Sequence, residues 1–329
     1  MIAEAMGKGA APSHIRPFDL HRDLAALASL IEVAFGPELA VTGSEIVQDM
    51  RQMALWGHML WLAGATTAPL AGFVWVENGE VVGNASLNRE SEGSGVWTLS
   101  NVAVLPGYRG RGIAGQLLDT AVGYVRNHGG KRILLQVRAD NQPALTLYRC
   151  RGFLTFDTLH ELSLARNNWP SSPSPSGASL RRVRAADGCR IYHLVLNSRP
   201  CEVWKQRPIK ARQFHRGLWW QVRQHLQMAF AGRERFELLA ESAGESVAYG
   251  NLTVHLFRGP HELELYVLPG QRGRWESELV HGLLGLVEDL PRQSVRTSIS
   301  ASHPEAIQVL QTLGYQTLRV LEQMALELG

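Results

Sequence analysis

Cysteine is scarce in this chain: Cys150, Cys189 and Cys201 are the only three among 329 residues. An odd number cannot pair completely, and none stands at metal-ligand spacing. That excludes a disulfide scaffold or a cysteine zinc site and fits a reducing compartment. The 12 histidines contain no H-x-x-x-H or H-E-x-x-H pair, so no metal is expected. Net charge is only +3, too little to demand a polyanionic partner. The N-terminus, MIAEAMGKGAAPSH, lacks an apolar core of signal-peptide length, and a cytoplasmic location is expected.

A true membrane run is also missing. Residues 52–76 carry no Asp, Glu, Lys or Arg, and that length could span a bilayer. Gly57, His58, Gly64, Thr66, Thr67, Pro69 and Gly72 interrupt it, however, and AGFVWV reads as a strand entering the ENGE turn at 77–80. No membrane partner is expected.

What is present is an ordinary globular composition, 45% hydrophobic and 19% charged, at a length that suggests about two domains. The Pro/Ser-rich stretch NNWPSSPSPSG at 167–177 reads as a linker between domains at 1–166 and 178–329. The two segments match each other. GEVVGNASL (79–87) resembles GESVAYGNLTV (244–254), and LPGYRGR (105–111) recurs as LPGQRGR (268–274). Ala144 to Tyr148 with Gly152-Phe153 matches Ala306 to Leu310 with Gly314-Tyr315. A nearly constant offset across separated motifs indicates tandem duplication of a whole domain.

Within the first segment, apolar spacing predicts helices over 21–35, 43–56, 110–127 and 141–150. Strands are expected near 71–76, 80–88, 96–105 and 132–139. This alternation predicts an α/β (α+β) fold, a mixed sheet covered by helices.

The most informative string is LPGYRGRGIAGQLL at 105–118, a glycine-rich turn between a strand and a helix. There, glycine lets backbone N–H groups approach an anion without an intervening Cβ, and the helix dipole favours negative charge. Alone, Arg109-Gly110-Arg111-Gly112-Ile113-Ala114 is weak evidence, since many turns use glycine. A second element follows: the strand RILLQVRA, then Asn141 to Tyr148, then Gly152-Phe153.

Together these motifs resemble the GNAT superfamily of acetyl-CoA-dependent N-acetyltransferases over about residues 14–166. The second segment resembles the same fold in degraded form, so the whole is similar to tandem GNAT proteins. Each half is then expected to be a mostly antiparallel, twisted sheet flanked by helices. The resemblance implies that backbone N–H groups of Arg109, Gly110, Arg111, Gly112, Ile113, Ala114 and Gly115 hold the pyrophosphate of CoA. It implies that Val102, Ala103 and Val104 pair with the pantetheine arm and donate to the thioester carbonyl. Asn141 would contact the cofactor arm, and Tyr148 would act as general acid toward the departing thiolate. No Cys/His pair suggests a covalent acyl-enzyme, so direct attack by a primary amine of a small molecule or peptide is expected.

Two departures qualify the resemblance. Similar proteins that acetylate the N-terminus of a ribosomal protein carry a glutamate twelve residues before the tyrosine. Here that position is Gln136, which cannot accept a proton at neutral pH. Glu90, Glu92 or a water then become candidate bases. In the second half, Trp275, Glu276 and Leu310 stand at the counterparts of Gly112, Ile113 and Tyr148. An indole and a carboxylate in the turn oppose a diphosphate by size and charge, so only the first half is expected to be active.

Open alternatives are another acyl-CoA, a hydroxyl acceptor, or a CoA-binding sensor without turnover. The basic, aromatic stretch 204–223 reads as a helix face rather than a nucleic-acid surface. Monomer and homodimer both remain open. The acceptor-facing aromatics Trp56, His58, Trp61 and Trp75 could equally be core.

Overall fold

The computed structural model describes residues 14–42, 71–90, 93–170, 180–214, 232–257 and 259–329. The helix expected at 43–56, Trp56, His58, Trp61, Glu92, most of the linker and residues 215–223 lie outside the described residues. The chain divides into two compact units. Unit 1 holds Met1–Gln136, Gln142–Leu154 and Met324–Gly329, and unit 2 holds Val137–Asn141 and Thr155–Gln323.

Unit 1 begins with β1 (Ile15–Pro17), α1 (Leu20–Thr42), β2 (Ala71–Glu77) and β3 (Glu80–Arg89). It continues through β4 (Val96–Val104), α2 (Ile113–Asn127), most of β5 (Arg132–Arg138) and α3 (Gln142–Arg149). The strand order is β1-β2-β3-β4-β5, antiparallel except for the parallel β4–β5 pair. Asn78 and Gly79 join β2 to β3 at φ 50° and 83°, the left-handed pair that a two-residue hairpin turn needs.

Leu24, Leu27, Ala28, Leu30 and Ile31 of α1 repeat at helical spacing and form a cluster with Ala103 of β4. The stripe Ile113, Leu117, Leu118, Ala121, Val122 and Val125 buries α2. Gly83 on β3 permits that approach, because a Cβ there would stand 3.1 Å from both Ile113 and Leu117.

Unit 2 contains nearly all of β6 (Leu154–Leu164), followed by β7 (Leu180–Arg182), α4 (Gly188–Ser198) and α5 (Cys201–Gln206). Then come β8 (Arg233–Ser242), β9 (Glu245–His255), β10 (His261–Val267) and α6 (Glu276–Gly285). β11 (Val295–Ser300), α7 (Pro304–Thr312) and β12 (Gln316–Glu327) complete the chain. Its strands run β6-β11-β10-β9-β8-β7, with β10–β11 the parallel pair. Each unit is a mixed, mostly antiparallel sheet flanked by helices, the class that the sequence pattern predicts.

Both units open with the same device. The Arg16 guanidinium grips Asp23 through two 2.6 Å bonds, and Arg181 grips Asp187 at 2.7 and 2.9 Å. Asp23 also accepts the Asp19 N–H at 2.8 Å, and Asp187 accepts the Arg184 N–H at 2.7 Å. Burial raises the Asp23 pKa, but these bonds outweigh it and leave the carboxyl below its ordinary value.

The compact units and the sequence halves are different divisions of the chain. β6 closes the first half in sequence, yet it pairs antiparallel with β11, from Leu159↔Ser300 to Leu164↔Val295. The last six residues of the chain, 324–329, belong to unit 1. There Leu328 N–H donates to the Lys131 carbonyl at 2.9 Å, and Arg132 pairs with Glu327 at 2.6 Å.

Candidate functional site

The turn after β4 is built by its glycines. Pro106–Tyr108 form a single 3₁₀ turn, Gly110 and Gly112 take φ of 77° and 78°, and Gly112 caps α2. The left-handed residues stop the helix from starting at 110, as the apolar spacing alone predicts; it starts at Ile113. Among the described residues, a Cβ at Gly110 would meet nothing within 4 Å, and one at Gly112 only the Gln116 amide at 3.9 Å. The turn is therefore open on its outer side, with the first N–H groups of α2 behind it.

The side chains of the turn are tied down. Arg109 Nε donates to the Val104 carbonyl at 3.1 Å. Arg111 donates to the Gly107 carbonyl at 3.1 Å, reaches Glu77 at 3.3 Å, and lies over the Tyr108 ring. Ile113 is buried, Ala114 is half-buried, and Gly115 leaves room for Arg151: a Cβ there would come within 2.5 Å of its guanidinium. Arg151 is held in turn by Asp119 at 2.6 Å.

β4 leads into this turn and leaves its neighbour early. Its paired register with β5 runs only from Val96↔Arg132 to Thr98↔Leu134, so Leu99 to Val104 have no β5 partner. On the other side, the β3–β4 register shifts between Asn84↔Ala103 and Ser86↔Ser100, and Asn101 takes φ 52°. This is a β-bulge at 101–102, which no glycine announces in the sequence. Ala103 and Val104 are buried and Val102 half-buried.

Tyr148 sits on α3, buried, with its ring edge-on to Phe153 at 5.7 Å. Burial pushes its phenol up to about 12. That is well above an ordinary thiol near 8.5, so acid and leaving group are not matched in pKa as an exposed tyrosine would be. The group stays protonated at every working pH. Asn141 is exposed and falls in the segment 137–141 of unit 2. Gln136 is exposed on β5, and Glu90 is exposed, accepting a 3.2 Å bond from Thr98 Oγ1. Trp75 is buried and stacks on His14.

The counterpart turn in unit 2 is closed from within. Gly273 keeps its left-handed φ of 80°, but Trp275, where unit 1 has Gly112, takes φ −108° and is buried. The Glu276 side chain, fully buried, turns back into the loop. Gly273 N–H donates to its Oε1 at 3.0 Å and Trp275 N–H to its Oε2 at 3.1 Å. His303 Nε2 completes the set at 2.7 Å from Oε1. Burial raises the Glu276 pKa, but the His303 bond and the backbone donors bring it below its ordinary value.

Unit 2 also lacks the bulge. Its β9–β10 register runs without a shift from Ala248↔Val267 to Thr253↔Glu262. Leu310, at the position of Tyr148, is fully buried in the apolar core. Sequence reasoning found the indole and the lost tyrosine; it missed that Glu276 acts as an internal anion and that the bulge is gone. The Glu and His lie 27 residues apart, and no local spacing connects them.

Among the described residues, no helix is long and apolar enough to cross a membrane, and no group of three or more His, Cys, Asp or Glu could hold a metal. Residues 43–153 match the family model described as Acetyltransferase (GNAT) family. The [ribosomal protein bS18]-alanine N-acetyltransferase of Escherichia coli strain K12 is 33% identical over 75 residues, 23% of this chain and 47% of that protein. The chain thus spans under half the length of this curated relative.

Among solved structures, a GCN5-related N-acetyltransferase from Sphaerobacter thermophilus superposes with a TM-score of 0.66 at 18% identity, covering 97% of both chains. A tandem GNAT protein from the clavulanic acid biosynthesis pathway gives 0.57 at 17% identity, covering 96% of this chain and 98% of that one. At such identities these two likenesses speak to the fold. Residues 43–153 are thus similar to the GNAT acetyltransferase family, and the fold of the chain is similar to that of these two structures.

Proposed function

We propose that unit 1 transfers an acetyl group from acetyl-CoA to the primary amine of a small molecule or peptide, and that unit 2 has no transferase activity. The observation that carries this reading is the pairing, in one unit, of an open glycine turn with a bulged strand that has parted from its neighbour. Their counterparts in unit 2 are a turn filled by Glu276 and a strand in unbroken register.

In this reading the N–H groups from Gly110 to Gly115 hold the pyrophosphate, helped by the N-terminal end of α2, while the Arg109 N–H donates to the Pro106 carbonyl at 3.3 Å. The space that an added Cβ would find at Gly110 and Gly112 fits that task. The backbone of Val102 to Val104 pairs with the pantetheine arm and donates to the thioester oxygen. Acetyl-CoA supplies the acyl group already activated as a thioester. The amine nitrogen bonds to the carbonyl carbon, the C–S bond breaks, and its electron pair leaves on sulfur. One proton leaves the nitrogen and one is needed at sulfur. Tyr148, protonated up to about 12, offers the hydrogen at sulfur. Gln136 cannot take the proton from nitrogen, so that role falls to a water or another residue.

The test is release of free thiol from acetyl-CoA across a panel of amines. Amine-dependent release is expected, and Tyr148→Phe should lower kcat by roughly 10²-fold with little change in cofactor affinity. Tight acetyl-CoA binding without release for any acceptor would instead make the protein a CoA-binding sensor.

A further inference from the structure

Asn84 on β3 is fully buried, and its side-chain amide makes two bonds from one nitrogen. Nδ2 donates to the Asn101 carbonyl at 2.9 Å and to Ser86 Oγ at 3.0 Å. A backbone carbonyl only accepts, so the orientation of the amide is fixed: nitrogen faces Asn101. Oδ1 is left buried without a hydrogen-bond partner among the described residues. Leaving a buried acceptor unpaired is costly, so a purely structural role favours some other side chain here.

The bond has a geometric consequence. The described backbone has no cis peptide, and a planar trans peptide sets its C=O and the following N–H in opposite directions. Holding the Asn101 oxygen against Asn84 therefore directs the Val102 N–H away from Asn84. Asn101 and Val102 are the bulge residues, and β4 at this level has already lost its β5 partner.

In unit 2 the register puts Tyr249 at the position of Asn84, since Ala248↔Val267 matches Gly83↔Val104, and the nearby Asn251 does different work. Asn251 donates to Glu264 Oε2 at 3.0 Å and accepts from Arg235 at 3.1 Å, side chain to side chain, beside a ladder with no bulge. Of these two asparagines, Asn84 alone grips a strand backbone among the described residues.

We propose that Asn84 is a positioning residue for the acyl-transfer site: by holding the Asn101 carbonyl it aims the Val102 N–H at the thioester oxygen. This rests on the reading of β4 as the acyl site, and the experiment separates the two. The carbonyl stretch of acetyl-CoA labelled with ¹³C at the thioester carbon reports hydrogen bonding to that oxygen. It is measured by infrared difference spectroscopy, free and bound, in the wild type, Asn84→Ala and Asn84→Leu. The leucine variant fills the buried volume with an apolar group of similar size should alanine fail to fold.

In the wild type the band should move to lower wavenumber on binding. In the variants acetyl-CoA should still bind, within about threefold, through the distant turn, while at least about half of the band displacement is lost. With an amine accepted in the thiol-release screen, kcat should fall about tenfold or more while KM for acetyl-CoA changes little, a smaller loss than removing an oxyanion donor outright. A full displacement that survives in a folded variant overturns the role of Asn84 alone. No displacement in the wild type with acetyl-CoA bound overturns the acyl-site reading, and the role of Asn84 with it.

Discussion

The turns at 105–112 and 268–275 begin with almost the same letters and end as opposite objects. In unit 1 a Cβ added at Gly110 would find open space among the described residues, and Gly110 and Gly112 hold the backbone in left-handed conformations. In unit 2 a carboxylate from the first helical residue folds back and accepts from two N–H groups of the turn, with His303 behind it. A loop shaped for an anion carries exposed donors that must be satisfied by something. Unit 1 leaves them for a ligand or solvent, and unit 2 supplies an acceptor from its own chain. The altered sequence of unit 2 keeps the loop and fills it from within.

Exchanging single residues between the turns breaks the comparison most directly. Gly112→Trp, which copies unit 2 into unit 1, should abolish the rise in melting temperature that acetyl-CoA gives the wild type. The indole would occupy the open side of the turn, and a side chain at φ 78° costs about 1–2 kcal/mol by itself. An unchanged ligand-induced shift would remove the turn from the binding site.

The reverse exchange, Glu276→Ile, leaves the Gly273 and Trp275 N–H donors and His303 without the buried carboxylate that accepts from them. Unsatisfied buried donors cost about 1–3 kcal/mol each, so unfolding in denaturant should show a loss of roughly 3 kcal/mol. Wild-type stability would mean that the carboxylate is incidental to the fold. No gain of acetyl-CoA binding is expected from this change, because Trp275 and the unshifted β10 remain.

The smallest effect is on stability in alkali. Burial raises Tyr148 and Tyr266 to about 12 and raises Tyr315 further still. Above about pH 10 the unfolded chain gives up phenolic protons that the folded chain retains. The folded state then binds more protons, and stability falls as pH rises. Melting temperature should decline from pH 10 upward, and Tyr315→Phe, which removes a buried hydroxyl without a partner among the described residues, should lessen the decline. A flat profile between pH 9 and 11 would mean that these rings reach water.

Much of the fold was legible because it rests on local patterns. Alternating apolar residues marked β2 to β5, the Asn78-Gly79 turn marked the hairpin, and the stripe from Ile113 to Val125 marked α2. The glycine turn was legible because glycine at φ > 0 has a physical reason to be there. The strand partners of β6 and β12 were not legible. Pairing is decided by which edge is free in three dimensions, and β6 found β11 rather than a strand of its own sequence half. The bulge at Asn101 was hidden because asparagine also tolerates the left-handed region, so no glycine was needed.

The sequence by itself determined that this is a duplicated α/β chain with one intact and one altered glycine turn, because spacing, turn chemistry and repeat offset are written in order along it. Only the tertiary structure decided what fills the altered turn and what holds the bulge in the intact half. Glu276 meets His303, and Asn84 meets the carbonyl of Asn101, across separations of 27 and 17 residues. Hydrogen bonds over such distances form only once the strands and helices carrying them have packed, and no local pattern encodes them.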